Sequence, residues 1–281
     1  MSCVIFFNCH STEIKRQLDN SSEFTNKYTI SIIPIYNYLY NGCYNDTTEL
    51  VEHDVNLISN ADILIIQNVK KDRGFLNFDK IKPYTKNTCK IIKIPHYTFS
   101  GYFSDHDVLN DKLFDINKSH DELIEYLNNL ECHSESYVLK KMELELEHIK
   151  ELDNYSDIKM YDFVKNNYKF NKLFYSRQYP TMIFFFELVK EILKSVGIME
   201  NINSRYSIFF VNTEVPIFHK IHQILKLQFS PIENKSYNYN IIEYYVACKI
   251  NGISAITFDR RAKHKYGIET LEQIVTSGKY R

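Results

Sequence analysis

Ile63-Leu64-Ile65-Ile66 is an unbroken apolar run that ends on Gln67. A strand with one wet face alternates apolar and polar residues. An unbroken run is buried on both faces, as in a parallel sheet covered by helices. Three more segments read the same way: residues 3–7 (Cys-Val-Ile-Phe-Phe), the β-branched residues 30–35 ended near Pro34, and residues 91–94 stopped by Pro95. Helical patterns lie between them. Residues 11–18 carry Glu13 near the start and Lys15 and Arg16 further along, the order that complements a helix dipole. Within residues 46–60, Leu50, Val51, Val55 and Ile58 recur at helical spacing. This alternation predicts an α/β fold with a doubly wound, mostly parallel sheet.

Residues 95–118 show little periodicity and hold His96, Tyr97, Gly101, Tyr102, Asp105 and His106. Long loops in compact domains are often functional. Ser119-x-x-Glu122 is a capping box that opens a helix through residue 130. Ser134 or Ser136 opens a longer one to about residue 152, with Val138, Met142, Leu146 and Ile149 on one face. Together they predict a helical insertion. A short helix is expected over residues 161–168. Pro180 fits the first turn of a strong helix and Gly197 its stop. Residues 182–193 are apolar around most of the girth, so that helix is expected to be central. A strand over 208–211 and helices over 216–227 and 241–250 complete a helical C-terminal part. No linker divides the chain. The expectation is one domain over residues 1–281, with its core blocks in 3–230 and a peripheral tail in 231–281.

The chain has 281 residues, 44% of them hydrophobic, which is ample for a core. Thirty-four basic residues balance 35 acidic ones, so a basic nucleic-acid-binding surface is not expected. The six cysteines (Cys3, Cys9, Cys43, Cys89, Cys132 and Cys248) are scattered, without paired metal-ligand spacing, so no metal and no disulfide framework are expected. Residues 1–3 lead straight into a strand with no basic leader, and no run approaches 18 apolar residues. These features predict a cytoplasmic protein without a membrane span. Phosphate-loop, dinucleotide-binding and serine-elbow motifs do not occur in the sequence, which weighs against kinases, dinucleotide oxidoreductases and ordinary serine hydrolases.

Chemistry-bearing residues gather where strands end. Asn8-Cys9-His10 joins the first strand to the first helix, and ligands of open α/β sheets bind at the carboxyl ends of strands. A thiol at a helix N-terminus feels a positive potential, and an adjacent His can help hold its thiolate. The plain alternative is a packed core thiol. Gln67 ends the third run and is placed to orient a ligand or donate to an oxyanion, together with backbone N–H groups after Cys9. Lys70, Lys71 and Arg73 follow it, and Arg177 precedes Tyr179-Pro180; these are candidate phosphate contacts, or simply solvated charges. His96 and Tyr97 follow Pro95 at the next strand end, and Tyr102 is expected to bring a second ring over the same cleft.

Four blocks in order resemble the WcbI-like polysaccharide-biosynthesis acetyltransferases. They are Asn8-Cys9-His10; Ala61 to Gln67; Ile94-Pro95-His96-Tyr97-Thr98-Phe99-Ser100-Gly101-Tyr102; and Leu173-Phe174-Tyr175 followed by Tyr179-Pro180 and the apolar helix. The resemblance covers roughly residues 3–230. It implies an α/β fold distantly like the SGNH hydrolases, coenzyme A binding, and acetyl transfer from acetyl-coenzyme A to a hydroxyl or amine of a sugar, which can be nucleotide-linked. On that reading Cys9, His10 and His96 are catalytic. Asn8, Gln67, Lys70, Lys71, Arg73 and Arg177 bind the coenzyme, and Tyr97 and Tyr102 the sugar. Cys9 either forms an acyl-enzyme or only shapes the pocket while a His deprotonates the acceptor. The chain departs from the family pattern in three places: Phe7 replaces Gly, His10 replaces Gln, and Tyr179 replaces a His. A deacetylase with the same site, or a non-catalytic glycan- or nucleotide-binding protein, is the alternative.

Overall fold

A computed structural model describes residues 1–35, 38, 50–69, 76–104, 134–200, 202, 217 and 219–229. The chain divides into two compact units that interleave in sequence: Met1–Tyr97 with His148–Phe163 and Met182–Ser207, and Thr98–Glu147 with Val164–Thr181 and Ile208–Arg281.

Unit 1 is built on β1 (Ser2–Phe7), β2 (Thr29–Pro34), β3 (Ile63–Gln67) and β4 (Lys90–Ile94), all parallel and ordered β2-β1-β3-β4. Helices α1 (Ser11–Leu18) and α2 (Ser22–Lys27) join β1 to β2. Helix α3 (Glu52–Ser59) precedes β3, and α4 (Phe78–Ile81) with a 3-10 turn (Lys82–Tyr84) precedes β4. Register pairs Cys3 with Ile30 and Ile63, and Gln67 with Ile94. Pro34 is tolerated because β2 is an edge strand among the described residues.

Strand side chains alternate between faces. Val4, Phe6, Leu64 and Ile66 share one buried cluster with Ile58 of α3 and Ile81 of α4. Cys3, Ile5 and Phe7 point to the other face, where α1 packs on β1, β2 and α7 (Met182–Ser195). Both faces are therefore covered, as the unbroken runs require. Each such Ile, Leu or Phe, fully buried, contributes about 1.5–3 kcal/mol. Phe184, Phe185, Leu188, Val189, Ile192 and Leu193 of α7 are buried, whereas Ile183 is exposed, so this helix has a wet side. It ends as expected at Gly197, whose φ of +79° suits glycine; its N–H donates to Lys194 O and that of Ile198 to Leu193 O.

In unit 2, strands β5 (Phe174–Ser176) and β6 (Tyr179–Pro180) form a small antiparallel hairpin. Pro180 thus lies in a strand, and α7 starts at Met182. The pairing of Phe174 with Pro180, and the Thr181 N–H donating to Leu173 O at 2.9 Å, hold the segment extended beyond the point where a helix was expected. Helix α5 (Glu135–Asn154) begins in unit 2 and ends in unit 1; α6 (Tyr161–Asn167) and α8 (His219–Ile224) match two further expected helices in part. A 3-10 turn (Gly101–Phe103) lies in the expected loop. The expected helices over 119–130 and 241–250, the strand over 208–211 and the tail lie outside the described residues. Among the described residues no helix is long and apolar enough to cross a membrane.

Candidate functional site

The strand order reverses direction between β1 and β3: the chain passes from β1 to β2 on one side and from β3 to β4 on the other. The connections leaving such a pair diverge and open a crevice at the strands' carboxyl ends. Asn8-Cys9-His10 and Gln67 stand at that point.

A tight turn carries Cys9. Asn8 O accepts the Ser11 N–H at 3.0 Å, and Asn8 Oδ1 accepts the His10 N–H at 3.0 Å. The Asn side chain thereby mimics a turn in the backbone. Gln67 Oε1 accepts the Asn8 N–H at 3.1 Å and ties the turn to β3. His10 caps α1 through its backbone alone, its carbonyl accepting from Glu13 and Ile14. Cys9 is half-buried. Among the described residues the buried Ser11 Oγ has no hydrogen-bond partner.

The His10 imidazole is only 3% exposed. Its centroid lies 4.9 Å from that of half-buried His96, at 63° between planes, and 5.3 Å from Phe185 of α7. Phe7 lies against it at 6.4 Å and 26°. The residues after β1 and after β4 thus bring two imidazoles together although β3 lies between those strands.

Three expected ligand contacts are engaged within the protein instead. The backbone N–H groups of His10 and Ser11 were expected to stabilise an oxyanion, but both donate to Asn8. Tyr97 and Tyr102 were expected to face a sugar, but both are core residues. Tyr97 is 2% exposed, and its hydroxyl donates to Asp153 Oδ1 at 2.9 Å. Burial, then the Asp153 charge, push this phenol well above its ordinary range. Tyr102 is fully buried in unit 2, with its hydroxyl donating to Tyr168 O at 2.8 Å. The physical reason is the same: a ring flanked by apolar residues goes inside when a distant acceptor takes its hydroxyl. Asn8 was expected at the coenzyme, yet its Oδ1 and its backbone hold the turn.

Arg177 is exposed in the β5–β6 turn of unit 2. Lys70, Lys71 and Arg73 lie outside the described residues. Sequence reasoning missed Phe185, which packs edge-on against the His10 ring, and Asp153; nothing local marks either one. Burial, more than the nearby Cys89, pushes the Cys3 thiol up to about 12, and burial raises Cys89 as well. Among the described residues no three His, Cys, Asp or Glu side chains are grouped to hold a metal.

Residues 2–201 match the sequence profile of a family described as "Polysaccharide biosynthesis enzyme WcbI". The chain belongs to the WcbI family. It is also similar to a solved structure of WcbI, described as a novel polysaccharide biosynthesis enzyme in its native form without a disulfide bond between coenzyme A and a cysteine. That likeness has a TM-score of 0.66 over 98% of each chain at 12% identity, and it establishes a shared fold. No curated protein matches the chain.

Proposed function

We propose that this WcbI-family chain transfers an acetyl group from acetyl-coenzyme A to a hydroxyl or amine of a sugar acceptor, in the course of glycan assembly. The observation that carries the reading is the placement of Cys9. It stands on the turn at the β1/β3 switch, next in sequence to His10, whose imidazole packs on that of His96. The description of the solved WcbI, which names coenzyme A and a cysteine together, supports it. The SGNH-like topology implied by the resemblance belongs to the same proposal. So does a cytosolic setting, which fits Cys3, Cys9 and Cys89 being thiols rather than disulfides. The family profile runs across both units, so we treat residues 1–281 as one functional domain.

In the reaction the Cys9 thiolate attacks the thioester carbonyl carbon. The bond from that carbon to the coenzyme sulfur breaks, and the coenzyme thiolate leaves with a proton from an imidazole. The acceptor hydroxyl then attacks acetyl-Cys9, the carbon–Sγ bond breaks, and the hydroxyl proton passes to the imidazole. We assign this shuttle to His96, because it is half-buried whereas His10 is only 3% exposed. Lys70, Lys71, Arg73 and Arg177 are retained as candidate contacts to the coenzyme phosphates.

Incubation with acetyl-coenzyme A and a panel of nucleotide sugars, read by mass spectrometry, tests the reading. The expected result is an acetylated sugar, an acetyl adduct on Cys9, and loss of both in Cys9→Ala. Most activity surviving in Cys9→Ser would refute the covalent path. Thioester consumed at the same rate without any sugar would replace transfer by hydrolysis. Ligand binding with no thioester consumption would leave a binding protein.

A further inference from the structure

Gln67 is tethered at one end of its amide only. Its Oε1 accepts the Asn8 N–H, and a backbone N–H can meet only the oxygen, so this contact fixes which amide atom lies where. The Nε2 group, with two N–H donors, must then occupy the other position. Among the described residues no protein group accepts from it. It is also not one of the polar atoms sealed from solvent without a partner. A nearly buried amide at the end of β3, 9% exposed, therefore keeps an oriented pair of donors next to the turn that carries Cys9. The His10 and Ser11 N–H groups of the same turn already serve Asn8.

We propose that Gln67 divides its amide between two tasks. Oε1 holds the Asn8–Ser11 turn in place, and Nε2 donates to the carbonyl oxygen of the acyl group as that oxygen becomes negative. Gln67 is then a catalytic residue and Asn8 a positioning residue that fixes the orientation of the Gln67 amide. The inference rests on the acyl-transfer reading and deepens it. Removal of one preorganised oxyanion donor typically lowers kcat by about 10²–10³.

Gln67→Glu separates the two tasks. A carboxylate still accepts the Asn8 N–H, but it offers no donor and sets negative charge where a negative oxygen would form. Gln67→Met, similar in length, removes both functions. Amide hydrogen exchange at Asn8 reports the turn, and acetyl-coenzyme A kinetics with the sugar acceptor report the chemistry. In Gln67→Glu we expect Asn8 to stay protected, KM to change little, and kcat to fall by at least about a hundredfold. In Gln67→Met we expect both Asn8 protection and kcat to fall. A Gln67→Glu variant with protected Asn8 and kcat within threefold of wild type would overturn the assignment while leaving acyl transfer intact. A wild-type protein that consumes no thioester with any acceptor would overturn the acyl-transfer reading itself, and this assignment with it.

Discussion

Tyr97→Phe removes one oxygen from unit 1 and decides between a core role and a sugar-binding role for this residue. The hydroxyl donates to Asp153 Oδ1 at 2.9 Å and lies 3.1 Å from Ile158 O. Burial and the neighbouring carboxylate hold the phenol protonated well above its ordinary pKa, so it is a donor at any working pH. A hydrogen bond to a charged acceptor contributes about 1.5–3 kcal/mol. Without it, Asp153 still accepts from Met160 N at 2.9 Å and Tyr161 N at 2.8 Å, so the carboxylate is not stranded. The loss therefore belongs at the lower end, about 1.5–2 kcal/mol. Two interleaved units need not unfold together, so native-state amide exchange is a better assay than a denaturation curve. At about 1.4 kcal/mol per factor of ten, the Met160 and Tyr161 amides should exchange roughly 10- to 30-fold faster. Asp153→Ala, which strands both amides, should exceed that by a further factor of ten or more. Unchanged exchange in Tyr97→Phe, together with weakened sugar use, would refute the core role and return Tyr97 to the acceptor site.

Gly101→Ala should destabilise unit 2 by about 1–3 kcal/mol through overpacking. Its Cβ would lie 2.7 Å from Phe99 Cζ and 2.8 Å from Met142 Cε; the methionine end can swing, but the Phe99 ring is held between Tyr102 and Phe174 at 5.1 and 5.0 Å. An unchanged melting temperature would show that the ring yields. Glu200 gives a pH prediction. Its carboxylate accepts from Ser21 Oγ, the Glu23 N–H, and the Ser22 hydroxyl and N–H, and the Ser21 hydrogen bond leads in lowering its pKa to about 2. The folded value lies below the unfolded one, so the stabilisation is complete above about pH 4.5 and is lost as pH falls toward 2. Glu200→Gln should flatten the acid limb of melting temperature against pH; an identical limb would remove Glu200 as the anchor of α2.

The sheet was legible because its strands are short and buried on both faces. Residues 11–18 form the helix that their charge order implied, and β3 extends the expected run by Gln67 alone. Short helices were not legible. Helix α2 has six residues, too few for a periodic pattern, and its signal is the Ser21 side chain accepting the Phe24 N–H at 3.1 Å. Helix α4 likewise rests on Asn77 Oδ1 accepting the Asp79 N–H at 2.9 Å. Single capping residues of this kind are common outside helices, so each became informative only beside its bonded partner. The Pro180 expectation failed for a different reason. Proline suits both a helix start and a strand edge, and the partner that chose between them, Phe174, lies six residues back in a hairpin only a few residues long.

At the candidate site, the positions of residues along the sheet were legible and their hydrogen bonding was not. Cys9, His10, Gln67 and His96 could be placed at strand ends from hydrophobic runs alone. Which hydrogen bonds consume which donors depends on a turn that no periodicity encodes, and so the backbone groups after Cys9 were assigned to a ligand although they serve Asn8. The two residues that flank Asn8-Cys9 are best understood together. Phe7 is 1% exposed and lies 6.4 Å from the His10 ring at 26°, and His10 in turn touches His96 and Phe185. A glycine at position 7 would offer His10 no flat wall, and a glutamine at position 10 would give the Phe7 ring no partner of its own shape. The aromatic before the cysteine and the imidazole after it therefore pack as a pair. Phe7→Gly should therefore leave a void against the His10 ring, and His10→Gln an unmatched surface against Phe7; unchanged stability in both variants would show that the two side chains do not support each other.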